Sequence, residues 1–86
     1  MFYVYILKSI KDRKVYTGYT SNLKLRLKEH QTGQVNSTAS RIPLKLIYYK
    51  AYSHKIDAQN RERYLKGGGK AKQNLKKQIE NSLLEP

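Results

Sequence analysis

The chain has 86 residues, of which 18 are Lys or Arg and only 6 are Asp or Glu, giving a formal net charge of +12. This charge predicts a polyanionic partner, most readily nucleic acid, because cationic side chains release the counterions condensed on phosphates. The absence of cysteine excludes disulfides, thiolate chemistry and cysteine-based zinc sites. The length is that expected of one domain, residues 1–86, with a single modest core.

The apolar start of the chain, MFYVYIL, ends at Lys8. It is too short for the apolar region of a signal peptide and has no basic segment before it. No other run reaches the length of a membrane span. We therefore expect a cytoplasmic protein with no membrane partner.

A β-hairpin and a helix are predicted in the first part of the chain. Residues Phe2–Ser9 and 15–19 alternate and are rich in β-branched and aromatic types, and the polar KDRK segment between them is typical of a turn. A polar residue at positions 20–22 is expected to cap a helix that runs to about Thr32. Gly33 is placed to end it.

The rest of the chain is predicted to contain a loop, a third strand and two further helices. These are a polar loop at 34–43 closed by Pro43, a strand at Leu44–Tyr52, a helix at Lys55–Lys66 capped by Ser53 and stopped by the glycines 67–69, and a helix at about 70–83. The order ββαβαα predicts an α/β domain whose small, three-stranded, mainly antiparallel sheet is flanked by helices.

The first predicted helix places two cationic or titratable residues beside its apolar stripe. Leu23 and Leu27 define the inward face, and Arg26 and His30 lie within about 60° of Leu23 at 100° per residue. Glu29 is expected to face water on the other side. Arg26 and His30 are one turn apart and therefore neighbours. One interpretation is structural: the arginine stem packs along the edge of the core and the histidine ends the helix. The other is that both residues belong to a site at the edge of the sheet.

A carboxylate lies on the inward face of the second helix. Glu62 shares that face with Ala58 and Leu65, where an unpaired charge would be costly. It could form an ion pair with Arg26 or Arg61. It could instead bind a divalent cation, since Mg²⁺ is often held by one or two carboxylates together with water and substrate phosphate. The sequence leaves both interpretations open.

Two tyrosines lie on the paired first and second strands. Tyr5 and Tyr16 share a face if the hairpin loop has an even number of residues and lie on opposite faces if the number is odd. Strand tyrosines usually pack, but a phenol can also orient or deprotonate a water. Gly18 either permits a close approach of backbone or ligand or marks a bulge. Gathered on one face, two phenols, a guanidinium, an imidazole and a carboxylate would suit phosphodiester hydrolysis.

The ordered motifs of the chain resemble those of the GIY-YIG nucleases, over about residues 2–80 and most closely the small stand-alone members. The matching features are YVY at 3–5, YTG at 16–18, Thr20, Arg26, His30 with a glycine three residues on, Pro43, and AQNRE ending at Glu62. Two departures are Tyr3 where the family name has Gly and Thr17 in place of the central Ile. Related domains occur in the bacterial excision-repair nuclease.

The resemblance implies a metal-dependent DNA endonuclease with a one-metal mechanism and a role in DNA repair or processing. It implies a single Mg²⁺ or Mn²⁺ and products with 3′-hydroxyl and 5′-phosphate ends. The implied site has Tyr16 activating the attacking water, Tyr5 hydrogen-bonded nearby, Arg26 holding the phosphate, His30 assisting proton transfer, Glu62 binding the metal, and Asn74 bracing the site.

Seven further contacts to nucleic acid are expected from the charge and the motifs, at Gly18, Thr20, Arg41, Arg61, Lys66, Lys70 and Lys72. DNA is the expected partner, and RNA is the alternative polymer. A different class of function is also compatible with the chain, namely a non-catalytic DNA- or RNA-binding module that retains the nuclease fold. Cleavage that is lost in Glu62→Ala would distinguish the nuclease from the binding module.

Overall fold

The computed structural model describes residues 1–85 and contains a three-stranded antiparallel sheet. The strands are β1 (Phe2–Ser9), β2 (Val15–Thr20) and β3 (Leu44–Tyr52), in the spatial order β2-β1-β3. This arrangement confirms the predicted α/β fold, with β2 ending one residue later than expected. β1 is paired on both sides, which explains why its side chains are the most buried of the three strands.

Helices cover both faces of the sheet. They are α1 (Leu23–Gln31), a 3₁₀ turn (Ala39–Arg41) inside the predicted 34–43 loop, α2 (Lys55–Lys66), α3 (Gly69–Gln78) and α4 (Glu80–Leu84). Within residues 1–85, none of these helices is long and apolar enough to cross a membrane.

The ends of the helices correct two predictions. His54 caps α2, because its Nδ1 accepts a hydrogen bond from the Ile56 backbone N–H at 3.2 Å, and Ser53 is not the cap. The single helix predicted at about 70–83 is two helices, because Ile79 leaves the helical conformation and turns its side chain toward the core. At α1 the cap is Asn22, one of the expected positions.

The alternation of β1 divides the packing between two faces. Val4 and Ile6 face α2 and α3, where they form a core with Ala58, Leu65 and Leu75. The helices are held to this face because their buried residues recur at helical spacing, which removes one continuous apolar stripe from water.

The opposite face, called the α1 face, carries Tyr5 and Leu7 of β1 beneath α1. Tyr16 lies on the same face, since the register pairs Tyr5 with Gly18 and Leu7 with Tyr16. The last pair of the hairpin is Lys8 with Val15, so the six residues 9–14, an even number, lie between the paired positions. The question left open by the sequence is thereby answered, because both phenols are on one face.

Candidate active site

Tyr5 is the buried centre of the α1 face, and its ring lies over Gly18 of the neighbouring strand. A Cβ at position 18 would be 2.3 Å from both Cζ and the hydroxyl oxygen of Tyr5. Only glycine therefore leaves room for this phenol. The β1–β2 register runs through Gly18 without a shift, so the bulge considered for this position is wrong. The expected contact of Gly18 with nucleic acid remains a prediction.

A buried chain of hydrogen bonds runs from Tyr5 through His30 to the loop after α1. The Tyr5 hydroxyl is 2.8 Å from Nε2 of His30, and Nδ1 of His30 is 2.8 Å from Oγ1 of Thr38. The Thr38 hydroxyl in turn donates to the Val35 carbonyl at 3.5 Å. Its oxygen therefore accepts from Nδ1–H, and Nε2 accepts from the Tyr5 hydroxyl. Both side chains beyond the phenol, His30 and Thr38, are fully buried.

The ionisation behaviour of Tyr5 and His30 agrees with this direction of donation. Burial raises the pKa of Tyr5 to about 12, against the opposing effect of a hydrogen bond from Arg26. Burial also lowers the pKa of His30 below its usual range, and the charge of Arg26 lowers that pKa further. Near neutral pH the phenol and the imidazole are therefore both uncharged, so Tyr5 acts as a hydrogen-bond donor.

Tyr16 is the more accessible of the two phenols. Its ring meets the His30 ring edge-on at 5.2 Å between centroids and lies 6.4 Å from the Tyr5 ring. The ammonium of Lys66 is 5.6 Å from the centroid of Tyr16. Tyr16 thus lies between the buried chain and the charged residues of α2, with part of its side chain open to solvent.

Arg26 is held at the border between the buried chain and solvent. Its Nη1 is 3.3 Å from Oε1 of Glu29, and its side chain is 36% exposed. A hydrogen bond to Tyr5 is the main reason that the pKa of Arg26 is raised, and the contact with Glu29 raises that pKa further. The expectation that Glu29 faces water is wrong, because it is half-buried against this guanidinium. The exposed part of Arg26 is suited to binding an oxyanion.

Glu62 lies close enough to Tyr5 for its charge to raise the pKa of that phenol. Its Oε2 is 3.1 Å from Nζ of Lys66, and its side chain is 23% exposed. Lys66 is thus the observed ion-pair partner, rather than Arg26 or Arg61 as the sequence suggested. Within residues 1–85 no three His, Asp or Glu side chains are grouped to hold a metal ion. A lone carboxylate still fits Mg²⁺ or Mn²⁺, whose remaining ligands are commonly water and phosphate oxygens.

Asn74 has a less direct relation to these residues. It is exposed on α3, the helix whose Leu75 packs into the core on the other face of the sheet. In the described part of the chain it forms no side-chain hydrogen bond with Tyr5, His30 or Thr38. Its bracing role remains a prediction.

The residues expected to contact nucleic acid are spread over several elements. Thr20 bonds to the backbone of Asn22 at the entrance to α1, and Arg41 forms an ion pair with Asp12 at 3.0 Å. The other side chains lie on α2 and α3, where Arg61 and Lys72 are half-buried and Lys66 and Lys70 are exposed. The structure brings only Gly18 and Lys66 of this set to the phenols.

Thr38 is the site residue that sequence reasoning missed. It lies in a polar loop without periodicity, eight positions after His30, and no local pattern marks it as a partner of the imidazole. Only the return of the chain from α1 to β3 brings it there. The pairing of Arg26 with Glu29 was detectable, because residues three apart on a helix are neighbours.

Comparison with known proteins agrees with this fold. Residues 1–77 match the family model described as the GIY-YIG catalytic domain. The chain therefore belongs to the GIY-YIG catalytic domain family, as the sequence motifs predicted. This is a family of the endonuclease superfamily, and within it the chain is similar to the proteins called UPF0213.

Three of these similar proteins illustrate the extent of the match. A UPF0213 protein of Clostridium perfringens is 48% identical over 67 residues, covering 77% of this chain and 71% of the relative. One from Natronomonas pharaonis is 38% identical over 71 residues, covering 81% of this chain and 82% of the relative. The solution NMR structure of a UPF0213 protein from Bacillus halodurans has a TM-score of 0.54 and 35% identity, covering 87% of this chain and 81% of that one.

Proposed function

We propose that this chain is a metal-dependent DNA endonuclease that hydrolyses phosphodiester bonds with a single divalent cation, in the cytoplasm, during DNA repair or processing. The observation that carries the proposal is the meeting, on the α1 face, of two phenols, a buried neutral imidazole and a partly exposed guanidinium, with the Glu62 carboxylate of α2 paired to the lysine beside Tyr16. Its +12 charge favours DNA as the polymer, with RNA as the alternative.

Arg26 would hold the scissile phosphate. Its guanidinium lies beside Tyr5 and pairs with Glu29, so it is already positioned when the substrate arrives. A preorganised cation stabilises the charge that develops on a phosphate during attack better than a mobile one. Because His30 and Tyr5 are both neutral, the guanidinium of Arg26 is the dominant charge beside the buried chain.

Tyr16 would orient the attacking water. Tyr5 cannot easily do so, because its hydroxyl is committed to His30 and its pKa is about 12. Tyr16 is the remaining phenol, and its ring contacts with His30 and Tyr5 keep it beside the buried chain. Hydrolysis would transfer the hydroxide part of water to phosphorus and a proton to the leaving 3′ oxygen, giving 3′-hydroxyl and 5′-phosphate ends.

Glu62 would hold the cation, Mg²⁺ or Mn²⁺, in exchange for its present partner Lys66. A divalent cation bound there supplies Lewis-acid stabilisation of a phosphoryl oxygen. Lys66, released from Glu62 but still close to Tyr16, would become available to a neighbouring phosphate.

A cleavage assay tests this proposal. Purified protein is incubated with supercoiled, linear, single-stranded and branched DNA in Mg²⁺, Mn²⁺ or EDTA, beside Glu62→Gln, Tyr16→Phe and the control Glu80→Gln. We expect metal-dependent cleavage that is lost in Glu62→Gln and Tyr16→Phe. Glu80 is exposed on α4 and outside the site, so its variant should cleave as wild type does.

The second candidate function is a non-catalytic DNA- or RNA-binding module. It is favoured by the Glu62–Lys66 ion pair, which already satisfies the carboxylate without a metal ion, and by the high positive charge. If wild type and variants all bind nucleic acid but none cleaves any substrate with either metal, this candidate replaces the nuclease.

A further inference from the structure

An aromatic groove lies on the α1 face beside the candidate active site. Tyr3 of β1 and Tyr49 of β3 are its aromatic walls, with ring centroids 6.3 Å apart and planes inclined by 60°. The other wall is the start of α1, including Asn22, Leu23 and Lys24, and the groove holds about 450 Å³. Tyr49 is 55% exposed, so much of its side chain is open to a ligand.

The groove is adjacent to the phenols in a way that the strand register defines. Tyr49 is the direct partner of Tyr5 across β1 and β3, and Tyr3 precedes Tyr5 by two residues on the same strand. Two residues along a strand span about 7 Å. Tyr3 and Tyr49 are therefore among the nearest neighbours, on this face of the sheet, of the tyrosine whose hydroxyl interacts with His30 and Arg26.

We propose that the Tyr3–Tyr49 groove binds an unpaired nucleobase of the nucleic-acid strand whose phosphate lies at Arg26. Its position relative to Arg26 rests on the proposed function, whereas base binding itself does not. The two rings, inclined by 60° to each other, give the groove aromatic surface that suits a flat aromatic ligand. The volume is in the range of small-ligand sites and suits one nucleotide.

The charge around the groove favours a nucleotide over an uncharged aromatic ligand. Lys24 is among the lining residues, and no carboxylate is among those described there. Stacking on aromatic side chains next to cationic ones is how proteins commonly bind single strands without reading their sequence. A base inside a duplex has both faces covered by its neighbours, so this groove selects strands with an unpaired nucleotide, such as flaps, gaps and single-stranded DNA.

Binding measured in EDTA, where cleavage is suppressed, tests the inference. Fluorescence anisotropy compares three labelled DNAs of equal length: a single strand, the same strand with abasic sites, and a blunt duplex. The proteins are wild type, Tyr49→Ala, Tyr49→Phe and Tyr64→Ala. Tyr64 is a matched control, since it is 65% exposed and lies beside Arg63 on α2, away from the groove lining.

Wild type is expected to bind the base-bearing single strand about tenfold more tightly than the abasic strand. Tyr49→Ala should lose that ratio, whereas Tyr49→Phe and Tyr64→Ala should keep it. Equal binding of base-bearing and abasic strands by wild type overturns the inference. So does a ratio that survives in Tyr49→Ala, or a Tyr49→Ala effect confined to the oligomeric state, which would make the groove a protein contact.

The failure of this inference and that of the nuclease proposal give different results. A tenfold base dependence without cleavage of any substrate leaves the groove in place and removes the nuclease. Metal-dependent cleavage with no base dependence removes the groove and leaves the nuclease. Circular dichroism of each variant confirms that the folded protein is being compared.

Discussion

Gly18 and Tyr5 show how one missing side chain shapes the site. The Tyr5 ring occupies the volume where the Cβ of any other residue at position 18 would lie, and it is from there that its hydroxyl reaches His30. The glycine of the YTG motif at 16–18 therefore has a physical reason in this chain. The reason is packing against a phenol, and the backbone conformation of a strand makes no demand for glycine there.

Gly18→Ala is expected to destabilise the chain by about 1–3 kcal/mol and to abolish any cleavage, because the Tyr5 ring must move away from His30. Gly67→Ala is the control, since Gly67 has helical φ and ψ angles and a Cβ there would make ordinary contacts at 3.6 Å. Urea unfolding measures both variants. Equal midpoints for Gly18→Ala and wild type would show that Tyr5 does not need the space above Gly18.

The neutral imidazole of His30 predicts a pH-dependent stability. Burial lowers its folded-state pKa below the ordinary value of 6.5, so the unfolded chain binds the proton more readily. The stability contributed by the neutral state is therefore complete above about pH 6.5 and is lost as the pH falls through the folded-state pKa. The urea concentration at the unfolding midpoint should decrease as the pH is lowered from 7 to 5.

The variant His30→Gln, which cannot take up a proton, should reduce this pH dependence. His54→Gln is the comparison, because His54 is exposed; the change also removes the Nδ1 cap of α2, so its midpoints should be lower than those of wild type at every pH, and the difference between pH 7 and pH 5 is what is compared. If the pH dependence is unchanged in His30→Gln but reduced in His54→Gln, its source is His54 and the prediction for His30 is wrong.

At the scale of elements, the sequence predicted the strands and helices whose bounds are marked by periodicity or by glycine. It missed those bounds that depend only on tertiary packing. β1, β3 and α2 have the predicted bounds because alternation and helical spacing are strong in those segments. The break at Ile79 was missed, since neither glycine nor proline signals it. The ordered motifs predicted the cluster of Tyr5, Tyr16 and His30, but the loop that supports His30 carries no such pattern.

Thr38→Val is expected to destabilise the chain by about 1–3 kcal/mol, because the buried Nδ1–H of His30 loses its acceptor. The loop from α1 to β3 would then be held to the helix less firmly. Thr38→Ser keeps the hydroxyl and should retain most of the stability. Ser37→Ala alters an exposed neighbour and should have little effect. If Thr38→Val unfolds at the same urea concentration as wild type, the loop is not held by this hydrogen bond.

At the scale of the whole molecule, +12 charges on 86 residues make the affinity for nucleic acid steeply dependent on salt. The logarithm of the binding constant should fall linearly with the logarithm of salt concentration, with a slope near −0.9 per phosphate contact for duplex DNA and about −0.7 for single strands. A chain with an unpaired-base groove should thus combine a shallower salt slope with tighter binding when the strand is single. Neither effect alone distinguishes stacking from charge.

Lys70→Gln, at an exposed and predicted contact on α3, should make the duplex slope shallower by about one contact, or roughly 0.9. Lys45→Gln is the control. The Lys45 ammonium lies 3.3 Å from the Glu85 carboxylate, so we expect its removal to affect that carboxylate and not a contact with phosphate. Titrations at several salt concentrations measure both slopes. If the two variants change the slope equally, affinity follows total charge, and Lys70 makes no phosphate contact of its own. A change confined to Lys70→Gln would place the nucleic-acid backbone along α3.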